Sequence, residues 1–464
     1  MPRHQTEFDV VVVGAGTAGA AAAAFQAESG RRVALVEARA FQEGGARWIN
    51  AVPAWMFDRA GVAQPAGEER HGVFGTASFR SPLDKAAVDI DQVPVWDVDM
   101  RALGDRLRRR ALEAGVTVFD HARPLAVEHL DDRPVALELS LDGPNRSPRS
   151  LRLTASLFVD ATGIAGALRT RVDAFKRWCP AIAPTDTCTA ASGYHRIRDR
   201  DGARRFLDRH RIAPGRTLCW MGPEGGFSSV IVSVDEAVET VSFVIGTIAD
   251  GRHLTGPELM KRTVDAYPWV GERLFGGGGL IPLRRPFDRF TTTGAALVGD
   301  AGCQVFSTHG SGIGNGMIAA RLLADATADA ADPGDPGVLW RYQAGYQRER
   351  GAHSAPFDVF RRLSQTWTPE DVEGLLATEV LSPALWSEGI LQRFAPLDVD
   401  AIRRGLRAAL RGPRVVAGVA PHVARMVAVQ GLYRVYPREP NPGRLGLWSR
   451  AVAHLFGDPV EGLE

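Results

Sequence analysis

One stretch near the start of the chain narrows the possible folds more than any other. Phe8-Asp9-Val10-Val11-Val12-Val13 is a β-branched run of the kind found in a strand buried on both faces. It leads straight into Gly14-Ala15-Gly16-Thr17-Ala18-Gly19. The alanine-rich segment that follows predicts a helix to about Ser29, with Gly30 suited to its C-terminal cap. Arg32-Val33-Ala34-Leu35-Val36 predicts a second strand, ending at Glu37. Strand, glycine turn, helix, strand and acid stand in the order of a dinucleotide-binding βαβ unit, which an isolated glycine motif would not supply.

Each piece has a physical task. Gly14 permits the tight turn, Gly16 lets the backbone approach a pyrophosphate, and Gly19 lets helix and strand pack closely. The helix start at Gly16-Thr17-Ala18 offers free N–H groups and the positive end of the helix dipole to phosphates. Glu37 lies 18 residues past Gly19 and accepts from ribose hydroxyls, with Ala38 and Arg39 in the same turn.

Two later segments extend the pattern. Leu157-Phe158-Val159 predicts a strand closed by Asp160-Ala161-Thr162-Gly163. Ala295-Ala296-Leu297-Val298 predicts another, ending at Gly299-Asp300. A loop carrying Gly302, Gly310, Gly312, Gly314 and Gly316 then leads into a helix expected from Met317 to about Ala330. Two glycine-bearing strand ends and an acid fit a second contact zone on an extended dinucleotide. Asp300 suits a ribityl hydroxyl, and Gly312-Ile313-Gly314-Asn315 aims a helix N-terminus at a flavin edge that gains negative charge on reduction.

Taken in order, these segments resemble the FAD-dependent superfamily of p-hydroxybenzoate hydroxylase-type monooxygenases, geranylgeranyl reductases and flavin-dependent halogenases. The resemblance covers residues 8–50, 95–165 and 280–330 and implies FAD as cofactor. It places Gly14, Gly16, Gly19 and Glu37 on the ADP half and Arg47 at the flavin. Asp160, Ala161 and Gly163 match the family's Asp-Ala-Thr-Gly strand end, and Gly299 and Asp300 match its Gly-Asp motif. Arg101 lies one residue out of register with a family arginine. The implied fold is α/β (α+β). A Rossmann-like three-layer FAD domain is expected from 1–165 and 285–335, an inserted antiparallel substrate sheet from 166–284, and a helical C-terminal cap from 336–464.

The middle unit fits that plan. Ser228–Val234 and Thr240–Gly246 read as antiparallel strands joined by a turn at Asp235–Glu239, and 256–274 as a helix. Gly276-Gly277-Gly278-Gly279 reads as a flexible turn or a site of close approach.

The reaction type is less constrained. The hydroxylases continue their Gly-Asp motif with Ala-Ala-His and a proline, whereas this chain has Gly299-Asp300-Ala301-Gly302-Cys303; Asn315 retains the hydroxylase pattern. The halogenases carry Trp-x-Trp-x-Ile-Pro and a catalytic lysine. The comparable strand here is Leu218-Cys219-Trp220-Met221-Gly222-Pro223, and Lys85 is the only lysine before Asp160. His309, Lys85 and Trp220 are therefore the candidate catalytic side chains: His309 as acid or base beside the flavin, Lys85 for halogenation, Trp220 as a pocket wall. The leading expectation is a monooxygenase acting on a hydrophobic or aromatic small molecule in bacterial specialised metabolism. A reductase of C=C bonds, a halogenase and a non-catalytic binding protein are the alternatives. Electrons would come from NAD(P)H or a partner flavin reductase, and a carrier protein is a further possible partner.

Composition closes off other classes. Lys+Arg at 55 against Asp+Glu at 54 argues against nucleic acid as the main partner. Arginine supplies 52 of those 55, which with the alanine runs suggests a GC-rich bacterial source. Arg108-Arg109-Arg110 reads as a solvated helix face. Cys179, Cys188, Cys219 and Cys303 form no CxxC pair, and no metal-ligand spacing is evident, so a reduced cytoplasmic protein without a metal is expected. No signal peptide or integral membrane segment is expected: the start Met1–Gln5 is polar, and the apolar run Ala18–Phe25 falls far short of the ~20 residues a span needs.

Overall fold

The computed structural model describes residues 6–141, 149–395 and 398–462, so Met1–Gln5 lies outside the described residues. Val10–Val13 forms a fully buried strand at the centre of a six-stranded sheet. The strand order is Thr291–Thr292, Ala295–Leu297, Leu157–Asp160, Val10–Val13, Val33–Val36, Thr117–Phe119, parallel except at the Thr291–Thr292 edge. Side chains alternate across it with the two-residue period of a strand. Val10 and Val12 join the core on the helical side, whereas Val11 and Val13 join the core beneath an antiparallel three-stranded meander. The result is the expected three-layer domain.

The helix Thr17–Glu28 buries Ala20–Ala24 completely. With only methyl groups on that face, it fits tightly between the helices Met100–Glu113 and Ile313–Thr327. Asp99 caps Met100–Glu113, its side chain accepting from the Arg101 N–H at 2.8 Å. The glycine-loop helix starts at Ile313, four residues before the expected Met317.

A seven-stranded sheet forms the second unit, in the order Val270–Pro282, Thr187–Ile197, Thr240–Ile248, Ser228–Val234, Thr217–Met221, Ala77–Arg80, Ala87–Ile90. Its last two strands come from before residue 165, so the sheet expected over 166–284 takes in Ala77–Ile90 as well. The hairpin through Asp235–Glu239 stands where expected. The helix expected over 256–274 ends at Asp265. Pro268 bars its continuation, and the chain enters the Val270–Pro282 strand. The four glycines lie inside that strand, paired with Ala190–Gly193. They are a close-approach site: a Cβ on Gly277 would sit 3.0 Å from the Trp48 ring and one on Gly279 3.3 Å. One face of the sheet packs Val230, Val232, Val234, Val241 and Phe243 against helices Arg200–His210 and Gly256–Asp265; the other face is left for a cavity.

The C-terminal region is helical: Pro336–Tyr346, Ala352–Ser364, Pro369–Ala377, Pro383–Ile390, Val399–Arg411, Pro413–Arg434 and Pro442–Phe456. Trp340, Tyr433, Tyr436, Trp448 and Val452 give it its own core. Buried charges fasten it to the rest: Glu461 pairs with Arg284, and Asp358 accepts from the Arg285 N–H at 2.9 Å. Among the described residues a single helix bears on the expectation of no membrane segment, and it does so by length and composition alone. Pro413–Arg434 is long and apolar enough, by length and composition, to cross a bilayer.

Candidate functional site

Two cavities meet inside the molecule. The first, of about 670 Å³, is a cleft along the ends of the parallel strands. Gly14, Gly16, Thr17, Ala18, Glu37, Ala38 and Arg39 line one end; Ala161 and Gly163 the middle; Gly299, Asp300, Gly312 and Ile313 the other end.

The glycines work here through the backbone. Gly14 has φ +102°, and a Cβ on it would lie 2.4 Å from the Ala161 carbonyl oxygen. Gly19 does not reach the cleft; a Cβ there would collide with the Gly14 carbonyl at 1.8 Å, so its task is packing. Two helices begin at this cleft, Thr17–Glu28 and Ile313–Thr327. Neither has a side-chain N-cap or an acid in its first turn. Their orphan N–H groups and positive dipole ends are thus left for an anionic ligand. Glu37 accepts from the Ala15 N–H at 2.9 Å and the Arg39 N–H at 3.1 Å, which fixes its carboxylate at the cleft wall. Asp300 faces the far end, and burial pushes its carboxyl up to about 6. No described group hydrogen-bonds it. Cβ-free walls, two uncapped helix starts and an acid at each end suit an extended dinucleotide.

Several expected cofactor residues have other tasks. Asp160 is wholly buried, and its carboxylate accepts from Thr162 N–H at 3.0 Å, Thr162 Oγ1 at 2.6 Å, Leu168 N–H at 2.7 Å and Arg169 N–H at 2.8 Å. It shapes the turn and has no capacity left for a ligand. Gly314 lies outside the cleft wall, against Met56, whose Sδ would be 2.3 Å from a Cβ there. Asn315 is buried: it donates to Gln392 Oε1 at 2.9 Å and accepts from Arg350 Nε at 2.9 Å. Arg47 is exposed and does not itself line the cleft, although Ala46 and Trp48 on either side of it do; it donates to the Gln42 carbonyl at 3.4 Å. Arg101 ion-pairs with Asp99 at 2.6 Å over the Phe275 ring. Arg108 is not solvated; it is buried and donates to the Gly44 carbonyl at 2.7 Å and the Ala15 carbonyl at 3.2 Å, bracing the glycine turn.

The second cavity, about 280 Å³, lies between the open sheet face and the C-terminal helices. It adjoins the cleft at Trp48, Asn50, Ile281 and Gly310, which line both. Its walls are mostly apolar, with Phe79, Ile231, Val244, Leu376, Trp386 and Ile390 among them. Two titratable groups stand out. Asp97 sits in the Val95–Asp99 strand, paired with Ala51 and Gly72. Burial among apolar groups pushes its carboxyl up to about 6, with His71 pulling the other way, and no described group hydrogen-bonds it. His309 opens onto the cavity, and the protein packed around it pushes its imidazole down to about 4. It is neutral at pH 7, and its Nε2–H donates to the Gly389 carbonyl at 3.3 Å.

Trp220 and Lys85 are not in this site. In the strand Thr217–Met221 the alternate residues Thr217, Cys219 and Met221 face the cavity. Trp220 points to the opposite side, against Phe206 and His210, as the period of two requires. Lys85 is exposed in the turn between Arg80 and Ala87, outside both cavities. Asp97, Trp48 and Asn50 are functional candidates that sequence reasoning passed over. The four glycines beneath Trp48 were the one available signal. All four cysteines are buried and free, and Cys188 and Cys219 line the cavity.

The helical cap meets the glycine-rich loop at several points: Phe357 packs on Phe306, and the segment Gly389–Gln392 adds hydrogen bonds. Besides the Gly389–His309 bond, Gln392 donates to Ser311 Oγ at 3.1 Å, and Trp55 Nε1 donates to the Leu391 carbonyl at 3.0 Å.

Comparison with known proteins agrees with this geometry. The family model for FAD dependent oxidoreductases matches residues 9–172. A digeranylgeranylglycerophospholipid reductase of Sulfolobus acidocaldarius is 25% identical over 97% of this chain and 98% of its own length. A geranylgeranyl bacteriochlorophyll reductase-like protein of Thermoplasma acidophilum superposes with a TM-score of 0.67 at 17% identity, covering 90% of this chain and 99% of its own. The myxobacterial chondrochloren halogenase gives 0.61 at 18% identity, over 95% and 99%. The fold is that of the FAD-binding oxidoreductases, and FAD is the cofactor.

Proposed function

We propose that this FAD-dependent oxidoreductase reduces carbon–carbon double bonds in the isoprenoid chain of a lipid. The observation that carries the reading is the apolar cavity opening onto the dinucleotide cleft, with one proton-holding carboxyl in its wall. The full-length similarity to a reductase of geranylgeranylated phospholipids supports it over the monooxygenase that the motifs first suggest.

When bound and reduced, FAD supplies a hydride equivalent. The chain's own residues do the rest. The apolar walls take up an isoprenoid segment and exclude water from it. Saturating a double bond also requires one proton. Asp97 is the group that would hold it: burial raises its carboxyl to about 6, so it keeps its proton to a higher pH than an ordinary carboxyl and is largely protonated below that value. His309, neutral and pinned to Gly389, orients the loop between the cavities. NAD(P)H or a separate flavin reductase would recharge the cofactor.

The test is mass spectrometry of a geranylgeranyl-ether phospholipid, presented in detergent micelles to the FAD-loaded, chemically reduced protein. The expected product gains two hydrogens per double bond. Recovery of unchanged lipid, or a product carrying added oxygen, would overturn the proposal; the latter would restore the monooxygenase reading. Lysine-dependent halogenation has no support, since Lys85 lies outside the cavity.

A further inference from the structure

The amphipathic helices of this molecule mostly turn their apolar stripe inward. Met100–Glu113 buries Leu103, Leu107 and Ala111, and Arg200–His210 buries Phe206 and Leu207. The helix Val399–Arg411 does the opposite. Val399, Ile402, Leu406 and Leu410 fall on one stripe, at spacings of three and four residues, and each is between 58 and 87% exposed. Only Ala408 is buried.

The charges of this helix are arranged to match. Arg403, Arg404, Arg407 and Arg411 occupy the sector beside the apolar stripe, and Arg414 follows at the start of the next helix. Acids are confined to the N-terminal end, where Asp398 caps the helix and Asp400 pairs with Arg403 at 3.4 Å. An exposed apolar stripe with a basic flank fits the boundary between acyl chains and anionic headgroups.

The neighbouring surface continues it. Pro413–Arg434 buries Met426, Val429 and Tyr433 on one side and exposes Ala417, Ala420, Ala424 and Val427 on the other, with Arg425 exposed between the two sides. Its buried side belongs to the protein core, and its outer side is apolar and uncovered. The patch also adjoins the cavity. Arg411 ion-pairs with Glu379, just past the helix Pro369–Ala377, whose Val372, Leu375 and Leu376 line the cavity wall.

We propose that Val399–Arg411, continued by the outer face of Pro413–Arg434, docks the protein on an anionic bilayer surface and holds the apolar cavity beside the membrane. The proposal rests on the lipid-substrate reading only for its biological use; docking is measured without turnover, so the two can fail separately.

The experiment is sedimentation of the FAD-loaded full chain with vesicles of equal parts phosphatidylglycerol and phosphatidylcholine, or of phosphatidylcholine alone. The wild type is expected to pellet with the anionic vesicles and to be released as salt is raised. The double variant Leu406→Glu, Leu410→Glu is expected to lose at least tenfold in vesicle partition. Both positions are exposed, so flavin content and reduction of micellar substrate should stay unchanged. Arg403→Ser with Arg407→Ser should weaken binding to the anionic vesicles and abolish the preference over phosphatidylcholine. Absence of pelleting with anionic vesicles, or a double variant that pellets like the wild type, would overturn the proposal. So would a wild type that forms a dimer broken by the double variant while ignoring vesicles, since the patch would then belong to a second copy of the chain.

Discussion

In the dinucleotide cleft it is mainly the backbone that faces the ligand. Gly14, Gly16, Gly299 and Gly312 keep side chains away, and two helix starts present their N–H groups. In the adjoining cavity the side chains do the work, contributed by strands and helices from residue 48 to residue 392. The two share Trp48, Asn50, Ile281 and Gly310 and little else. A site built from backbone depends on a few contiguous residues and tolerates few changes. A site built from side chains can be re-tuned one position at a time, and the same scaffold carries both a reductase-like protein and a halogenase among its structural neighbours.

Substitutions should separate the two regions. The largest effect is expected for Gly14→Ala, which sets a methyl 2.4 Å from the Ala161 carbonyl at a φ that disfavours side chains. The protein should purify without flavin absorbance; full flavin content would break the claim that the backbone makes this site. Asp97→Asn should leave flavin content intact and slow double-bond reduction by about 10²-fold. The wild-type rate should fall as pH rises through about 6, because the raised carboxyl is protonated only below that value. The variant should lose that limb. A variant that kept it would assign the titration elsewhere. Glu37→Ala should weaken FAD binding by about 1–2 kcal/mol, roughly five- to thirtyfold, with the maximal rate of the saturated enzyme unchanged; flavin titration checks it. Lys85→Ala should be indistinguishable from wild type in flavin content and turnover, since the side chain faces solvent. A measurable loss would show that the cavity extends further than its walls suggest.

This division also explains what could be read in the sequence. Phe8 to Glu37 announces its fold because each requirement there is local: a buried strand, a positive-φ turn, a helix start and a second strand follow one another along the chain. Asp300 and Gly312 were legible for the same reason. Asp160 was recognised as part of the turn, but its four hydrogen bonds come from groups two to nine residues downstream, and no pattern distinguishes a turn-shaping acid from a ligand-binding one. Trp220 and Cys219 are neighbours in sequence and face opposite ways, so assigning one to the pocket required knowing which face of the sheet is covered. Asp97 reaches the cavity only because its strand is held between Ile49–Pro53 and Arg70–Val73, pairings that leave no local trace. Arg108 sits in a run of arginines that reads as surface, yet it is drawn inward by carbonyls of the glycine turn and the loop after the second strand.

The most direct test of the central claim is anaerobic. The FAD-loaded protein is reduced chemically, freed of excess reductant, and mixed with micellar geranylgeranyl phospholipid under strict exclusion of oxygen while the flavin absorbance is followed. Reduction of the isoprenoid predicts that the oxidised flavin spectrum returns on mixing, in step with saturation of the lipid. A flavin that stays reduced with the lipid and reoxidises only when oxygen is admitted, giving an oxygenated product, would contradict it.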